Sequence, residues 1–142
     1  MCEKQSFENQ NNKIEYNNIE YSINEEENTA GIIGIKGNFH HIYIPRSIKQ
    51  EAKEYYITSI LEGAFKNSNI KFIQFASDSK LQTICKEAFS FSNIESITIP
   101  SSVTLIEEEA FYKCQQLQKI EIPNDSKLQT ICTEAFSFSI IK

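Results

Sequence analysis

The sequence DSKLQTICKEAFSFS, residues 78–92, recurs almost unchanged as DSKLQTICTEAFSFS at residues 125–139. The two copies differ only at Lys86 and Thr133 and begin 47 residues apart. Weaker copies share the Ala-Phe pair, which occurs at Ala64-Phe65, Ala88-Phe89, Ala110-Phe111 and Ala135-Phe136. The steps of 24, 22 and 25 residues between these pairs give a period of about 23, which predicts stacked coils.

Each coil contains two short apolar segments. One has apolar residues at its first, fourth and sixth places, as in IESITIP from Ile94 and LQKIEIP from Leu117. The other has two apolar residues separated by two polar or small ones, as in Leu81 and Ile84. These patterns predict short strands on two sides of each coil. The phenylalanines expected to stack inside as a ladder are Phe65, Phe89, Phe111 and Phe136.

The chain is expected to divide into three parts. Residues 1–18 are rich in Asn, Gln, Glu and Lys and predict a polar tail, in which residues 14–16 are candidates for a strand. Residues 19–37 contain two apolar runs around a glutamate-rich turn and predict a hairpin that caps the stack. Residues 38–142 form the repeat array of about four coils, with a hydrophilic surface loop predicted at residues 51–54.

The stretch IESITIPSSVTLIEEEAFYKCQQL, Ile94 to Leu117, resembles the consensus of the BspA-like leucine-rich repeats, and the similarity extends from about Phe39 to Ile141. This resemblance implies a right-handed leucine-rich repeat with a parallel concave sheet and short opposite strands. With the residue patterns, the predicted fold is a mostly β, α/β-type repeat solenoid with single helical turns, as at residues 107–111, and an N-terminal β-hairpin cap. The resemblance also implies protein binding or surface adhesion as the usual role.

The composition argues against several classes of partner. The formal net charge is −5, and binding duplex DNA or RNA needs clustered Lys and Arg to neutralise phosphates, so no nucleic-acid partner is expected. No apolar window is long enough to span a membrane, and residues 1–13 contain no secretory h-region. The sequence therefore predicts no membrane insertion and a cytoplasmic location, whereas the resemblance implies the cell surface.

No catalytic or metal-binding motif is apparent. The adjacent His40 and His41 fall in the first strand, and no Ser or Cys lies in a nucleophile motif. Cys85 and Cys132 occupy equivalent positions two coils apart, roughly 10 Å in a parallel stack, which is too far for a disulfide. We expect a non-enzymatic protein with free thiols, no metal and no cofactor.

The candidate binding surface is the predicted outer face of the strands. Aligned copies differ there while their apolar neighbours hardly change, which suits a framework with a variable surface and equally suits exposed positions that drift. Tyr43 and Phe72 are the best candidate anchors because aromatic residues dominate interface energetics. The candidate set contains Tyr43, Lys71, Phe72, Gln74, Glu95, Thr98, Lys119 and Glu121. The repeated phrase itself is assigned to the scaffold.

Two functions remain open. The first is a leucine-rich repeat module that binds a protein partner, with adhesion implied by the resemblance. The second is a truncated structural fragment or an intracellular scaffold without a ligand. Strand dimensions give the outer face of the strands an area of roughly 260 Å². A stable interface buries about 800 Å² on each partner, which is much more. Ile141 aligns with the start of a further strand, so the carboxyl-terminal edge is expected either to self-associate or to mark a truncation.

Overall fold

A computed structural model describes residues 12–139 of the protein. Within that range the chain forms twelve strands and no α-helix. The strands are β1 (Lys13–Tyr16), β2 (Ile19–Asn24), β3 (Thr29–Ile35), β4 (His41–Ile44), β5 (Ser47–Gln50), β6 (Lys53–Ile60), β7 (Phe72–Phe75), β8 (Thr83–Ile84), β9 (Ser96–Thr98), β10 (Leu105–Ile106), β11 (Lys119–Glu121) and β12 (Thr130–Ile131).

The two apolar segments of each coil build two different sheets. Strands β4, β7, β9 and β11 are neighbours in a parallel four-stranded sheet. Strands β6, β8, β10 and β12 pair in parallel within an eight-stranded sheet. Each coil therefore contributes one strand to each sheet, which confirms the predicted mostly β repeat solenoid of about four turns.

Apolar side chains from both sheets meet in a single core. In the third coil Ile94, Ile97 and Ile99 are buried on the four-stranded side, and Val103 and Ile106 are buried on the other. Alternate side chains of a strand point to the same face, so the fourth and sixth places of each strand segment both point inward. The spacing read from the sequence thus describes the burial of the middle coils.

Four phenylalanines stack through this core, as predicted. The ring centroids of Phe65 and Phe89 are 5.3 Å apart, and those of Phe89 and Phe111 and of Phe111 and Phe136 are each 5.0 Å apart. The last two pairs are nearly parallel, with interplanar angles of 4° and 7°. Aromatic pairs contribute about 0.5–1.5 kcal/mol beyond the area they bury. The ladder therefore holds neighbouring coils together.

The single helical turn predicted at residues 107–111 is not formed. The chain makes tight hydrogen-bonded turns instead, in which Ala110 N donates to Glu107 O and Tyr112 N donates to Glu109 O. Glu109 and Lys113 have φ angles of 57° and 52°. Right-handed helices need negative φ, so these two residues prevent a helical turn from continuing.

The N-terminal hairpin extends the eight-stranded sheet. Strands β2 and β3 pair antiparallel, and the Asn24 side chain accepts hydrogen bonds from the backbone N–H groups of Glu26 and Glu27 at 3.0 and 3.1 Å. Such a side-chain turn is typical of Asn. Strand β3 pairs in parallel with β6, whereas β4 is the terminal strand of the other sheet. The role of the hairpin as a cap remains a prediction.

The candidate strand at residues 14–16 is present, because β1 pairs antiparallel with β2. Residues 1–11 of the predicted polar tail lie outside the described range. The predicted surface loop at residues 51–54 is wrong in part, since β5 and β6 form a second antiparallel hairpin. Ile48 and Tyr55 are paired across it and buried, an apolar contact that the hydrophilicity of residues 51–54 does not reveal.

Candidate binding surface

The eight predicted surface residues all lie in the four-stranded sheet or directly before one of its strands. Successive side chains of a strand point to opposite faces of the sheet, so the strand residues next to these positions, such as Ile42 and Ile73, point into the core. Two of the eight, Lys71 and Glu95, are half-buried, and the other six are exposed. We call these eight residues, together with His41 and Ser96, the strand face.

Parallel pairing aligns the strand face in columns. Tyr43 is opposite Gln74, and Thr98 is opposite Glu121. Phe72 is opposite both His41 of β4 and Ser96 of β9. The same residues also occupy equivalent positions when the repeats are aligned on their apolar residues.

The aromatic residues gather at one end of the strand face. The His41 and Phe72 rings are 4.8 Å apart and inclined by 42°. Tyr43 is 53% exposed and Phe72 36%. Both border a shallow depression of about 280 Å³ whose floor includes Ile42 and Ile73. This end therefore offers accessible aromatic surface on a rigid sheet.

The charged residues of the strand face compensate each other. Lys71 Nζ is 3.9 Å from a Glu95 carboxylate oxygen on the neighbouring strand. Lys119 Nζ is 3.1 Å from Glu121 on its own strand. Exposed ion pairs of this kind contribute about 0–1 kcal/mol, so a partner could rearrange them at little cost. The charged residues of the strand face therefore carry no net charge.

A second depression adjoins the strand face where the strands end. It measures about 350 Å³ and is lined by Gln74 and Thr98 of the face and by Ser77, Ser101 and Asp125 of the following turns. These hydroxyl and carboxylate groups supply hydrogen-bond donors and acceptors. The accessible surface thus extends beyond the strands into the turns.

Cys114 and Cys132 are free thiols, as predicted, but Cys85 is disulfide-bonded, so the prediction for this residue is wrong. The repeat geometry excluded only a pairing of Cys85 with Cys132, and Cys2 lies outside the described range. Burial raises the pKa of the Cys114 thiol, and its Sγ donates to Phe89 O at 2.9 Å. This thiol is therefore protonated and shielded, unlike a nucleophile.

Residues 12–139 contain no group of three His, Cys, Asp or Glu side chains that could hold a metal ion. In the same part of the chain no helix is long and apolar enough to cross a membrane.

An amide ladder along the coils was missed by the sequence reasoning. Asn69 Nδ2 donates to Asn38 Oδ1 at 2.8 Å, and Asn93 Nδ2 donates to Asn69 Oδ1 at 3.0 Å. Its signal in the sequence was the Asn-Ile pair that recurs at residues 69–70 and 93–94.

A row of rings on the turns, exposed at Phe91 and Phe138 and half-buried at Tyr112, was also missed. Phe91, Tyr112 and Phe138 lie on the turns of successive coils and meet edge to face, with centroid distances of 5.7 Å and 5.6 Å. We call these three residues the aromatic row. Its signal was the second phenylalanine of the repeated AFSFS, which the sequence analysis assigned to the scaffold.

Comparison with known families agrees with the repeat geometry. A family model described as BspA type leucine-rich repeat region (6 copies) matches residues 36–142. The chain belongs to this family. Its parallel sheets and phenylalanine ladder are thus the scaffold of a BspA-type repeat.

Solved structures resemble this BspA-type repeat protein. A leucine-rich repeat protein from Bacteroides capillosus superposes with a TM-score of 0.79 and 22% identity, over 92% of this chain and 96% of that one, a likeness of fold. The pneumococcal vaccine antigen PcpA superposes with a TM-score of 0.68 and 25% identity, over 89% of this chain. This chain covers 42% of the PcpA chain. The comparison with curated proteins gave no match.

Proposed function

We propose that this BspA-type repeat protein is a non-enzymatic module that binds a protein partner through the strand face. The observation that carries the proposal is the placement of Tyr43 and Phe72 on adjacent parallel strands, both accessible and both bordering one depression with an apolar floor. Exposed aromatic residues on a rigid element lose little conformational entropy on binding and often supply most of the binding energy.

The size of the strand face limits the expected affinity. A stable interface buries about 800 Å² per partner, roughly three times the area that four short strands present. The depression next to Thr98 enlarges this area, but a single site of this kind binds weakly. Repeated contacts between multivalent partners would raise the avidity.

Binding can be tested by immobilising the full chain, capturing proteins from a cell-surface fraction, and titrating the captured partner against variants. Tyr43→Ala combined with Phe72→Ala should weaken binding about tenfold or more, with an unchanged melting temperature because both residues are exposed. Lys127→Ala, at an exposed lysine outside the strand face, is the matched control and should change the affinity less than about threefold. Equal affinity for the wild type and the double variant would contradict the strand face as the binding site.

We further propose that the protein acts at the cell surface. Support comes from the family and from the likeness to PcpA, which is described as a vaccine antigen. Biotinylation of intact cells with a membrane-impermeant reagent tests this location. Labelling only after lysis would contradict it and would favour an intracellular scaffold.

A second copy of the chain is a candidate partner for the terminal coil. Strands β11 and β12 end the two sheets within the described residues, and Ile122 and Ile131 are exposed there. Terminal strands present unpaired backbone groups that can pair with another chain. Light scattering should show dimers at high concentration that Ile131→Lys dissociates, whereas a monodisperse wild-type monomer would rule out this pairing.

A further inference from the structure

The aromatic row has a feature that packing does not require. Phe91 is 44% exposed and Phe138 70%, yet both have a φ angle of 61°. Bulky residues seldom adopt this left-handed conformation, which favours Gly, Asn and Asp. The equivalent residue of the first coil is Asn67, with a φ angle of 62°. The backbone turn can thus be made by Asn, and the two phenylalanines occupy it despite the strain.

Lys113 completes the row. It occupies the same left-handed position in the third coil, between Phe91 and Phe138 in the stack. Its Nζ is 5.7 Å from the ring centroid of Phe91, 5.5 Å from that of Tyr112 and 5.7 Å from that of Phe138. Rings attract a cation at such distances. The ammonium group is therefore held in place among three rings.

This ammonium group has no carboxylate to neutralise it in the described part of the chain. The ion pairs of residues 12–139 use Lys36, Arg46, Lys66, Lys71 and Lys119 but not Lys113. Lys80, the other lysine that lies over a ring without an ion pair in this part of the chain, faces only the ring of Tyr56, whereas Lys113 faces three. Its electrostatic complement is a carboxylate from another molecule.

We propose that the aromatic row and Lys113 form a second docking surface, which binds an acidic segment of a protein partner. A carboxylate would pair with Lys113, and apolar side chains next to it would cover the rings. A groove of about 320 Å³ beside Phe91 and Lys113 carries the side chains of Gln115 and Gln116, whose amides can both donate to and accept from a peptide backbone. The row spans two coil steps, on the order of 10 Å, or about three extended residues.

The same geometry disfavours a carbohydrate. A sugar ring stacks on the open face of an aromatic ring, whereas all three rings here have the Lys113 ammonium over them. A carboxylate approaches that ammonium without displacing it. The docking surface shares no residue with the strand face, so the two binding proposals can be tested independently.

A bead-displayed library of random heptapeptides, screened with the labelled full-length chain, tests the proposal. The wild-type chain should enrich peptides in which Asp or Glu adjoins an apolar residue, and binding should weaken as salt is raised. Lys113→Glu should reduce the affinity for the selected peptides about tenfold or more and should shift the enrichment toward Lys and Arg.

Two double variants separate the docking surface from the scaffold and from the strand face. Phe91→Asn with Phe138→Asn introduces the residue that already makes this turn at Asn67, so the melting temperature should stay the same or rise while binding of the selected peptides is lost. Tyr43→Ala with Phe72→Ala should leave peptide binding unchanged. The proposal is overturned if no acidic peptide is enriched, or if peptide binding survives both Lys113→Glu and the Phe91→Asn, Phe138→Asn double substitution. It is also overturned if the chain binds a glycan array but none of the peptides.

Discussion

In the repeated sequence AFSF, the first phenylalanine belongs to the inner ladder and the second to the outer aromatic row. Phe89 is fully buried and its ring lies nearly parallel to that of Phe111. Phe91, two residues later, is exposed and meets Tyr112 edge to face at 75°. The side chain of Phe91 leaves the core because its backbone is left-handed. Residue type alone therefore does not decide burial in these coils.

The ladder and the row also differ in what holds them. The ladder rings of Phe65, Phe89 and Phe111 are enclosed in the core, so removing one of them leaves a cavity. The row rings lie on the turns, where Phe91 and Phe138 are exposed and Tyr112 is half-buried, and the backbone of Phe91 and Phe138 is strained. Loss of a ring should be costly in the ladder and nearly neutral or favourable in the row.

The largest expected effect is that of Phe111→Ala, in the middle of the ladder. Stacking contacts to both Phe89 and Phe136 disappear, and the free energy of unfolding should fall by about 3 to 5 kcal/mol in a urea titration. The matched control in the row, Phe138→Ala, should change it by less than about 0.5 kcal/mol. A fall below about 1 kcal/mol for Phe111→Ala would mean that the ladder does not hold the coils together.

A smaller effect of opposite sign is expected for Phe138→Asn. The left-handed conformation costs an ordinary residue about 1–2 kcal/mol, which Asn largely avoids, while the lost edge contact with Tyr112 is worth about 0.5–1.5 kcal/mol when buried and less at this exposure. We expect a net gain of about 0.5 to 1 kcal/mol by urea titration. A clear destabilisation would show that the row, like the ladder, is a packing element.

The smallest effect concerns Cys114, which lies next to the row in sequence and next to the ladder in space. Burial raises the pKa of its thiol, so the folded chain holds this proton more tightly than the unfolded chain. The free energy of unfolding should be level below about pH 8.5, the ordinary thiol pKa, and decline above it. Cys114→Ser should remove that decline. Measurements should stay below about pH 9.5, because burial also raises the pKa of Tyr21 above the ordinary value of about 10.

The same shielding predicts a difference in alkylation. Iodoacetamide should modify the half-buried Cys132 of the native chain well before Cys114, as read by peptide mass spectrometry. Equal rates would place solvent beside the ladder and contradict its enclosure.

The sequence predicted the parts of the fold that follow from periodic burial. Ile94, Ile97 and Ile99 have the spacing of a strand with one buried face, and the Ala-Phe period fixed which rings stack. The columns of the strand face followed from the same alignment, because parallel strands in equivalent coils pair in register. Tyr43 and Gln74 could therefore be placed side by side without a structure.

Other features depend on contacts that no repeat pattern contains. Ile48 and Tyr55 pair in a hairpin that only the first coil has, and the disulfide of Cys85 departs from repeat symmetry. The predicted helical turn at residues 107–111 is not formed because Glu109 is left-handed, and glutamate is not a residue type that predicts this conformation.

The repeated phrase DSKLQTIC-EAFSFS thus determined, by itself, a stack of coils with Leu81, Ile84 and Phe89 inside, because burial in a solenoid is a periodic property of the chain. It did not reveal where Phe91 points. That was decided by the turn, whose backbone is set by hydrogen bonds to the neighbouring coil, such as Phe91 N to Tyr112 O at 2.9 Å. Those contacts exist only once the coils have stacked, so the exposed row is a property of the tertiary structure.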